Sequence, residues 1–514
     1  MLKSETYNKN RMLVRVSKFY LILLGILSCS SIMGQQTPDT VQLKKNISLN
    51  EVLNLTSQNS LEAFKAKRKY GVNYWKYRSF KSRLLPKINF EANPFTYNRA
   101  LIERYDSQQN IDVFRLQQNL NSYANVSINQ NIRATGTSLF INSSFNRLKN
   151  YGDFDSESYT ATPVRIGLVQ PIMAFNPFKW EHKTAPLQYQ KAKQEYLYEL
   201  QSINLKTIDL FFDWALAGKK VDIAKENKLS AEKLFKIGKK RYDLGSIERN
   251  DVLNLELDVY NANTNLTLNE QALNKARNAL RLFLRDDLPN NSAPMLPELI
   301  PDLQIDISEA TELANANNPK IIDLELRKTE ALRDLDKAIK DNRFDLSITA
   351  SYGLNQQANT FRDAYGNLLD QQMVSVNFSI PILDWGERRG NIKTAKMNNE
   401  VIDIELQQDK DKIKQDIAQK VIDFNIQQEL VEGALKTSEI ARKSYEITEK
   451  RYLLGNLDYL KLTSSRQAWQ SATEQYITSL LNYWRLYFEV QQLTLYDFMN
   501  KVPIEQDFDA ILSN

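Results

Sequence analysis

VRIGLVQPI (Val164–Ile172) returns 210 residues later as VSVNFSIPI (Val374–Ile382). KKRYDLGS (Lys239–Ser246) returns at the same offset as EKRYLLGN (Glu449–Asn456). Pro171 therefore pairs with Pro381 and Gly245 with Gly455, with an ungapped interval of 74 residues in each copy. Two unrelated motifs in one register mark an internal duplication, which defines the unit of fold. The openings agree too: ISLNEVLNLTSQNS (Ile47–Ser60) resembles IDISEATELANANNP (Ile305–Pro319), with Ser48 and Ser308 placed to cap the first helix of each half. Pro289, Pro294, Pro297 and Pro301 punctuate the stretch between the halves. The chain divides into a leader (1–34), a first repeat (35–285), a Pro-rich linker (286–304), a second repeat (305–500) and a tail (501–514).

The hydrophobic period changes across each proline. Before Pro381, Leu346, Ile348 and Ala350 alternate with polar residues, as do Val374, Val376, Phe378 and Ile380. Before Pro171 the same holds for Ile88, Phe90 and Ala92, and for Val164, Ile166 and Leu168. Period two with one apolar face predicts strands, and strands of about ten residues suit a membrane barrel. The first half carries an insertion, Tyr123 to Leu148, in which Val126, Ile128 and Ile132, then Leu139, Ile141 and Phe145, predict a further hairpin turning at Ala134-Thr135-Gly136. Beyond Pro381, Ile413, Ile417, Val421, Phe424, Val431 and Leu435 step by fours, threes and sevens, a narrow coiled-coil seam. From Trp385 to Leu454 there is no proline, so one helix of about 70 residues is expected, roughly 100 Å long at 1.5 Å per residue. Helices of that length are expected to lack a core of their own and to need neighbours.

Composition removes most enzyme chemistry. A single histidine, His182, excludes paired-histidine zinc sites and disfavours a Ser-His-Asp triad. A single cysteine, Cys29, excludes a disulfide framework. There is no GxGxxG and no GxxxxGK[ST], hence no phosphate-cradling loop. Asp286-Asp287, the adjacent acid pair, sits in the Pro-rich linker, where solvation suits it better than acid–base work.

At the N-terminus Lys3, Lys9, Arg11, Arg15 and Lys18 precede the apolar run Phe19–Leu27, and small residues follow to Gly34-Gln35. That order is a secretory signal, and the run is too short to span a bilayer. Two exits are open: cleavage between Gly34 and Gln35, or lipidation of Cys29 in the box Ile-Leu-Ser-Cys. Without residues 1–34 the 67 basic and 62 acidic side chains become 62 and 61, so the net charge of +5 is mostly the leader's and no nucleic-acid partner is implied. No apolar run of 18 residues follows, so an exported membrane chain has only the β-barrel open to it.

The order in each half is helix, strands, a strand ending in Pro, a very long helix, an R-Y-x-x-G turn and a return helix. This resembles the TolC-like outer-membrane efflux proteins over about residues 47–500, most specifically in SIPILDWGERRGNIKTAKMNN (Ser379–Asn399), with its Pro and Asp-x-Gly-x-Arg at the strand-to-helix junction. QPIMAFNPFKWEH (Gln170–His182) lacks that Asp-x-Gly-x-Arg. The resemblance implies a mixed α and β membrane protein: a homotrimer whose strands share one outer-membrane barrel, continued by a periplasmic coiled-coil tunnel of long helices. The family norm is four strands per protomer, and the insertion leaves a larger number open. It implies a passive, non-enzymatic duct without cofactors, embedded in outer-membrane lipid. Its partners would be a periplasmic membrane-fusion adaptor and an inner-membrane pump of RND, ABC or another class.

The resemblance also places sites. The tight turns Arg241, Tyr242, Leu244, Gly245, Ser246 and Arg451, Tyr452, Leu454, Gly455, Asn456 become the periplasmic tip that meets the adaptor. An acid six residues after the first glycine and a Tyr three before the second form a gate latch; those positions hold Asp251 and Tyr452, while the Arg expected two after the second glycine is Leu457. The pore-lining acids six and nine after the second glycine are replaced by Lys461 and Ser464, with Asp458 one turn earlier.

Overall fold

The computed structural model describes residues 45–107, 109–152, 155–289, 291–297, 300–454 and 456–513. The leader, Cys29 and Gly455 lie outside them. Residues 45–46 with 289–293 form a small unit in which the Lys45 N–H donates to the Asn291 carbonyl at 2.9 Å. The larger unit, Ile47–Leu288 together with the chain from Pro294 onward, carries both repeats.

The first half runs α1 (Leu49–Asn59), α2 (Leu61–Arg83), β1 (Lys87–Asp106), β2 (Ile111–Ile132), β3 (Thr137–Tyr151), β4 (Ser156–Ile172), α3 (Pro177–Asp243) and α4 (Arg249–Phe283). The second runs α5 (Ile307–Asn317), α6 (Pro319–Asp341), β5 (Asp345–Ala358), β6 (Leu369–Ser379), α7 (Glu387–Leu453) and α8 (Tyr459–Thr494), and α9 (Phe508–Ser513) comes last. The duplication is exact in its longest element, since α3 and α7 are each 67 residues. Ser48 caps α1 in a full capping box with Glu51. Ser308 does not cap α5: Asp306, two residues earlier, accepts from the Glu309 N–H at 2.8 Å and moves the helix start ahead of the serine.

The six strands form one antiparallel sheet in chain order, β1-β2-β3-β4-β5-β6. The inserted hairpin is β2 and β3, and its turn falls at Arg133–Gly136, as the alternation predicted. Register carries one apolar stripe across the sheet: Ile88 opposite Ile128, Ile128 opposite Ile141, Ile141 opposite Ile166 and Ile166 opposite Tyr352. Because the side-chain period is two, the other face collects the polar residues. There Asn125 pairs with Ser144 and Ser127 with Asn142. Much of the apolar face is open: Ile88, Phe90, Val374 and Val376 are each more than 60% exposed.

The helices pack in two tiers. Next to the strands the order is α2–α3–α6–α7, and towards the turns it is α4–α3–α8–α7. Between them lies the main core, which includes Phe211, Phe212, Trp214, Phe424, Tyr483 and Tyr487. Of the predicted α7 seam, Ile413, Ile417, Val421, Phe424 and Val431 are buried in this core, while Leu435 is 37% exposed. The expectation that the long helices lack a core is therefore corrected: α1 and α5 close over α3, α7 and α8 and seal one. The tail also folds. Phe508 lies 5.1 Å from the Tyr70 ring, in a cluster of α2 and α3 residues.

A second set of apolar residues lies outside the core clusters of the described residues. Leu253, Leu257, Tyr260 and Leu268 on α4 are each more than half exposed. So are Met397, Val401, Ile404, Ile426, Ile440 and Ile447 on α7, and Leu61, Phe64, Val72 and Trp75 on α2. On α2 and α4 they step by three, four and eight, and on α7 by four and three and then by multiples near seven, as narrow seams do; these helices stand at the ends of the two tiers.

Candidate functional site: the two helical turns

The α3–α4 turn is built by its glycine. Gly245 has φ +71, and its N–H donates to the Tyr242 carbonyl while the Ser246 N–H donates to the Arg241 carbonyl, both at 2.8 Å. This pair of bonds is the Schellman closure, which needs a left-handed residue at its centre. In the α7–α8 turn the Asn456 N–H donates to the Arg451 carbonyl at 3.0 Å, the counterpart 210 residues on. Gly245→Ala meets no atom within 4 Å of the new Cβ, so its cost is conformational alone, about 1 kcal/mol. Amide exchange at Ser246 is expected to quicken about fivefold, and unchanged exchange would contradict the closure.

The turns present apolar knobs. Leu244 is 80% exposed and Leu454 74%, and Tyr242 is exposed as well. Arg241 points back instead: its Nη2 donates to the Leu453 carbonyl at 2.8 Å and ties one turn to the other.

Behind the knobs lies a cavity of about 490 Å³ whose lining includes Arg241, Asp251, Tyr452, Asp458 and Tyr459. The structure thus brings Asp251 and Tyr452 to one cavity, and among the described residues no hydrogen bond joins them. Asp251 instead accepts from the Glu248 N–H at 3.3 Å, closing the α4 capping box. Burial raises the Tyr452 hydroxyl above its usual range; the Arg241 charge opposes this and Asp251 adds to it.

A stronger tie lies one to two turns further up, and the sequence reading missed it. Arg466 of α8 places Nη2 3.4 Å from both carboxylate oxygens of Asp258 on α4, with both side chains about 15% exposed. Tyr459 hydrogen-bonds the same carboxylate, and burial with that charge pushes its hydroxyl up to about 12. The 208 residues between Asp258 and Arg466 gave no signal, because the two do not share the repeat offset.

Asp458 caps α8, accepting from the Lys461 N–H at 2.8 Å. Asp458, Lys461 and Ser464 are all exposed and, at steps of three, share one helix face. Among the described residues no helix is long and apolar enough to cross a membrane, and no cluster of three or more potential ligands could hold a metal ion.

The sequence profile of the outer membrane efflux protein family matches residues 124–284 and 310–493, one segment in each half. The chain belongs to this family of non-enzymatic transport channels, and it is an outer-membrane efflux channel with a periplasmic helical domain. A search of curated proteins finds no match. Solved structures share the fold at low identity. The CmeC outer membrane channel of Campylobacter jejuni aligns at TM-score 0.64 and 16% identity, over 90% of this chain and 88% of its own. A membrane protein from Pseudomonas aeruginosa aligns at 0.63 and 15%, over 94% and 97%. The outer membrane protein VceC of Vibrio cholerae aligns at 0.60 and 13%, over 89% and 97%.

Proposed function

We propose that three copies of the chain assemble into one passive exit duct, which docks a periplasmic adaptor at its turns and is driven by an inner-membrane pump. The observation that carries this is the coincidence of free edges. The open edge of β1 continues from α2, and the open edge of β6 continues into α7. On the same two sides, α2 and α4 carry apolar seams at one end of the helical tiers and α7 carries one at the other. One side of the chain is thus complementary to the opposite side of a second copy, and head-to-tail association of that kind closes into a ring. A sheet of six strands with an apolar outer face cannot remain open in lipid.

The exposed Leu244, Leu454 and Tyr242 suit an adaptor's apolar tip contacts, and Gly245, Ser246, Arg451 and Asn456 shape the turns that present them. Crosslinking of the full-length protein in cells, followed by identification of what co-purifies, tests the docking. An adaptor and a pump are the expected yield, lost in Leu244→Asp/Leu454→Asp, and an unchanged yield in that variant would discard the site.

Within the duct, the face bearing Asp458, Lys461 and Ser464 would line the narrow end. Three symmetry-related Lys461 ammoniums draw anions, whereas three Asp458 carboxylates draw cations. Lys461 is exposed and, among the described residues, no hydrogen bond or ion pair holds its ammonium, while the Asp458 carboxylate is engaged as a cap, so anion preference is expected. Reversal potentials in a salt gradient decide: anion preference should fall in Lys461→Ala. Cation preference untouched by that change and lost in Asp458→Ala would reverse the assignment.

A further inference from the structure

The inserted hairpin has no counterpart in the second half, which contributes two strands where the first contributes four. Resting on the three-copy duct above, we propose that β2 and β3 enlarge the outer-membrane pore itself, so that three protomers close an eighteen-stranded barrel in which β6 of each copy pairs with β1 of the next.

Three observations place the hairpin in the wall. First, it is central in the sheet: β2 is bonded to β1 on one side and β3 on the other, and β3 is bonded onward to β4. Taking the hairpin out of the wall would cut β1 from the rest, and with it the edge that meets the neighbouring copy. Second, its faces continue those of the other strands. Ile128 and Ile141 extend the apolar stripe that Ile88 and Ile166 carry on either side. The opposite face holds Asn125, Ser127, Asn142 and Ser144, uncharged and polar, as a water-filled lumen requires.

Third, the hairpin is tied down where strands give way to helices. Gln130 Nε2 donates to the Leu84 carbonyl at 3.0 Å, at the C-terminal cap of α2. Asn176, the N-cap of α3, accepts from the Lys179 N–H and donates through Nδ2 to the Arg133 carbonyl at 2.8 Å. Gly136 keeps the turn close against it, since a Cβ there would lie 3.3 Å from the Asn176 side chain. The turn is thereby part of the sheet–helix junction, and it does not hang from the sheet as an appendage.

The consequence is width. Barrel diameter grows about linearly with strand number, so eighteen strands give a bore about 1.5 times that of twelve. At about 4.8 Å per strand and roughly 40° of tilt, the backbone diameters are about 36 Å and about 24 Å. The structure assigns this chain a broad exit fitted to bulky solutes, lined by amides and hydroxyls together with Glu91 and Arg165, which share the face of Asn125 and Asn142.

The test uses the full-length protein reconstituted in lipid. A density cross-section through the membrane is expected to show three protomers and eighteen strands. Three protomers with twelve strands would overturn the inference and leave the duct standing, whereas the absence of a closed ring would overturn both. An independent check needs no density. Asn142→Cys is expected to react with a water-soluble maleimide at least about tenfold faster than Ile141→Cys, as alternation between lumen and lipid demands. The unsubstituted chain supplies the background, and equal rates in a three-copy assembly would place the hairpin outside the wall.

Discussion

Phe424→Ala is expected to destabilise the protein by about 3–5 kcal/mol, the range for emptying an aromatic side chain from a sealed core. Phe424 has no exposed surface and packs between α7 and α8 in the main core, its ring 5.2 Å from that of Tyr483 and 5.9 Å from that of Tyr487. The neighbours cannot collapse into the space, because hydrogen bonds fix both tyrosines. The Tyr483 hydroxyl donates to the Pro301 carbonyl at 3.0 Å, and the Tyr487 hydroxyl donates to Asp497 at 2.6 Å. Leu435→Ala, on the same helical seam but 37% exposed, is expected to cost less than about 1 kcal/mol. Denaturant midpoints of the two variants against the parent check this. Equal shifts would mean that the seam is stabilised evenly along α7 and that the core is not concentrated around Phe424.

Opening of the turns is the second large effect expected. Nearest the turns, Arg241 to the Leu453 carbonyl and Arg466 to Asp258 are two of the links that hold the α3–α4 hairpin to the α7–α8 hairpin; further along, Ser230 donates to Glu449 and Lys220 pairs with Glu474. A hydrogen bond to a charged group contributes roughly 1.5–3 kcal/mol. The Arg466 contact is long, so it belongs at the low end. Losing both in Arg241→Ala/Asp258→Ala should shift the closed–open balance by about 2–4 kcal/mol, some thirtyfold to a thousandfold. In single-channel recordings the closed level should rise and open events should dominate. Tyr452→Phe should do less, because among the described residues no hydrogen bond joins that hydroxyl to Asp251. Its residual effect measures the Asp251–Tyr452 latch that the resemblance implies. If Tyr452→Phe opens the channel and the double variant does not, the links are assigned to the wrong pairs.

Legibility in the sequence followed physical range. The repeat offset and the change of period at each proline were enough to place α3, α7 and the hairpin turn, because periodicity is a local property of an element and its single buried face. The strand count needed more. Four alternating segments in the first half could equally have joined one sheet or formed a separate hairpin, and only hydrogen-bonded register, Ile128 against Ile141 and Ile141 against Ile166, places them in one sheet. Ser308 misled because a carboxylate two residues earlier competes for the same amide. The tip residues Arg241 and Gly245 were readable from the R-Y-x-x-G turn, whereas the Asp258–Arg466 link was not. It joins side chains at positions that are not equivalent in the two repeats and share no motif, and such a pair is defined only once α4 and α8 are docked on α3. The core was under-read for the same reason. The seam on α7 was visible, but the short α1 and α5 that cover it carry few residues and no period long enough to assign a partner.

The central claim is that one chain is an incomplete slice of a channel, with complementary edges on its two sides. The mass of the detergent-extracted, full-length protein under non-denaturing conditions tests this most directly. Three protomers are the expected result. Replacing Met397, Val401 and Ile404 on α7 with aspartate should reduce the assembly to single chains by spoiling one edge alone. A monomer from the unaltered protein, or three protomers unaffected by those replacements, would contradict the account.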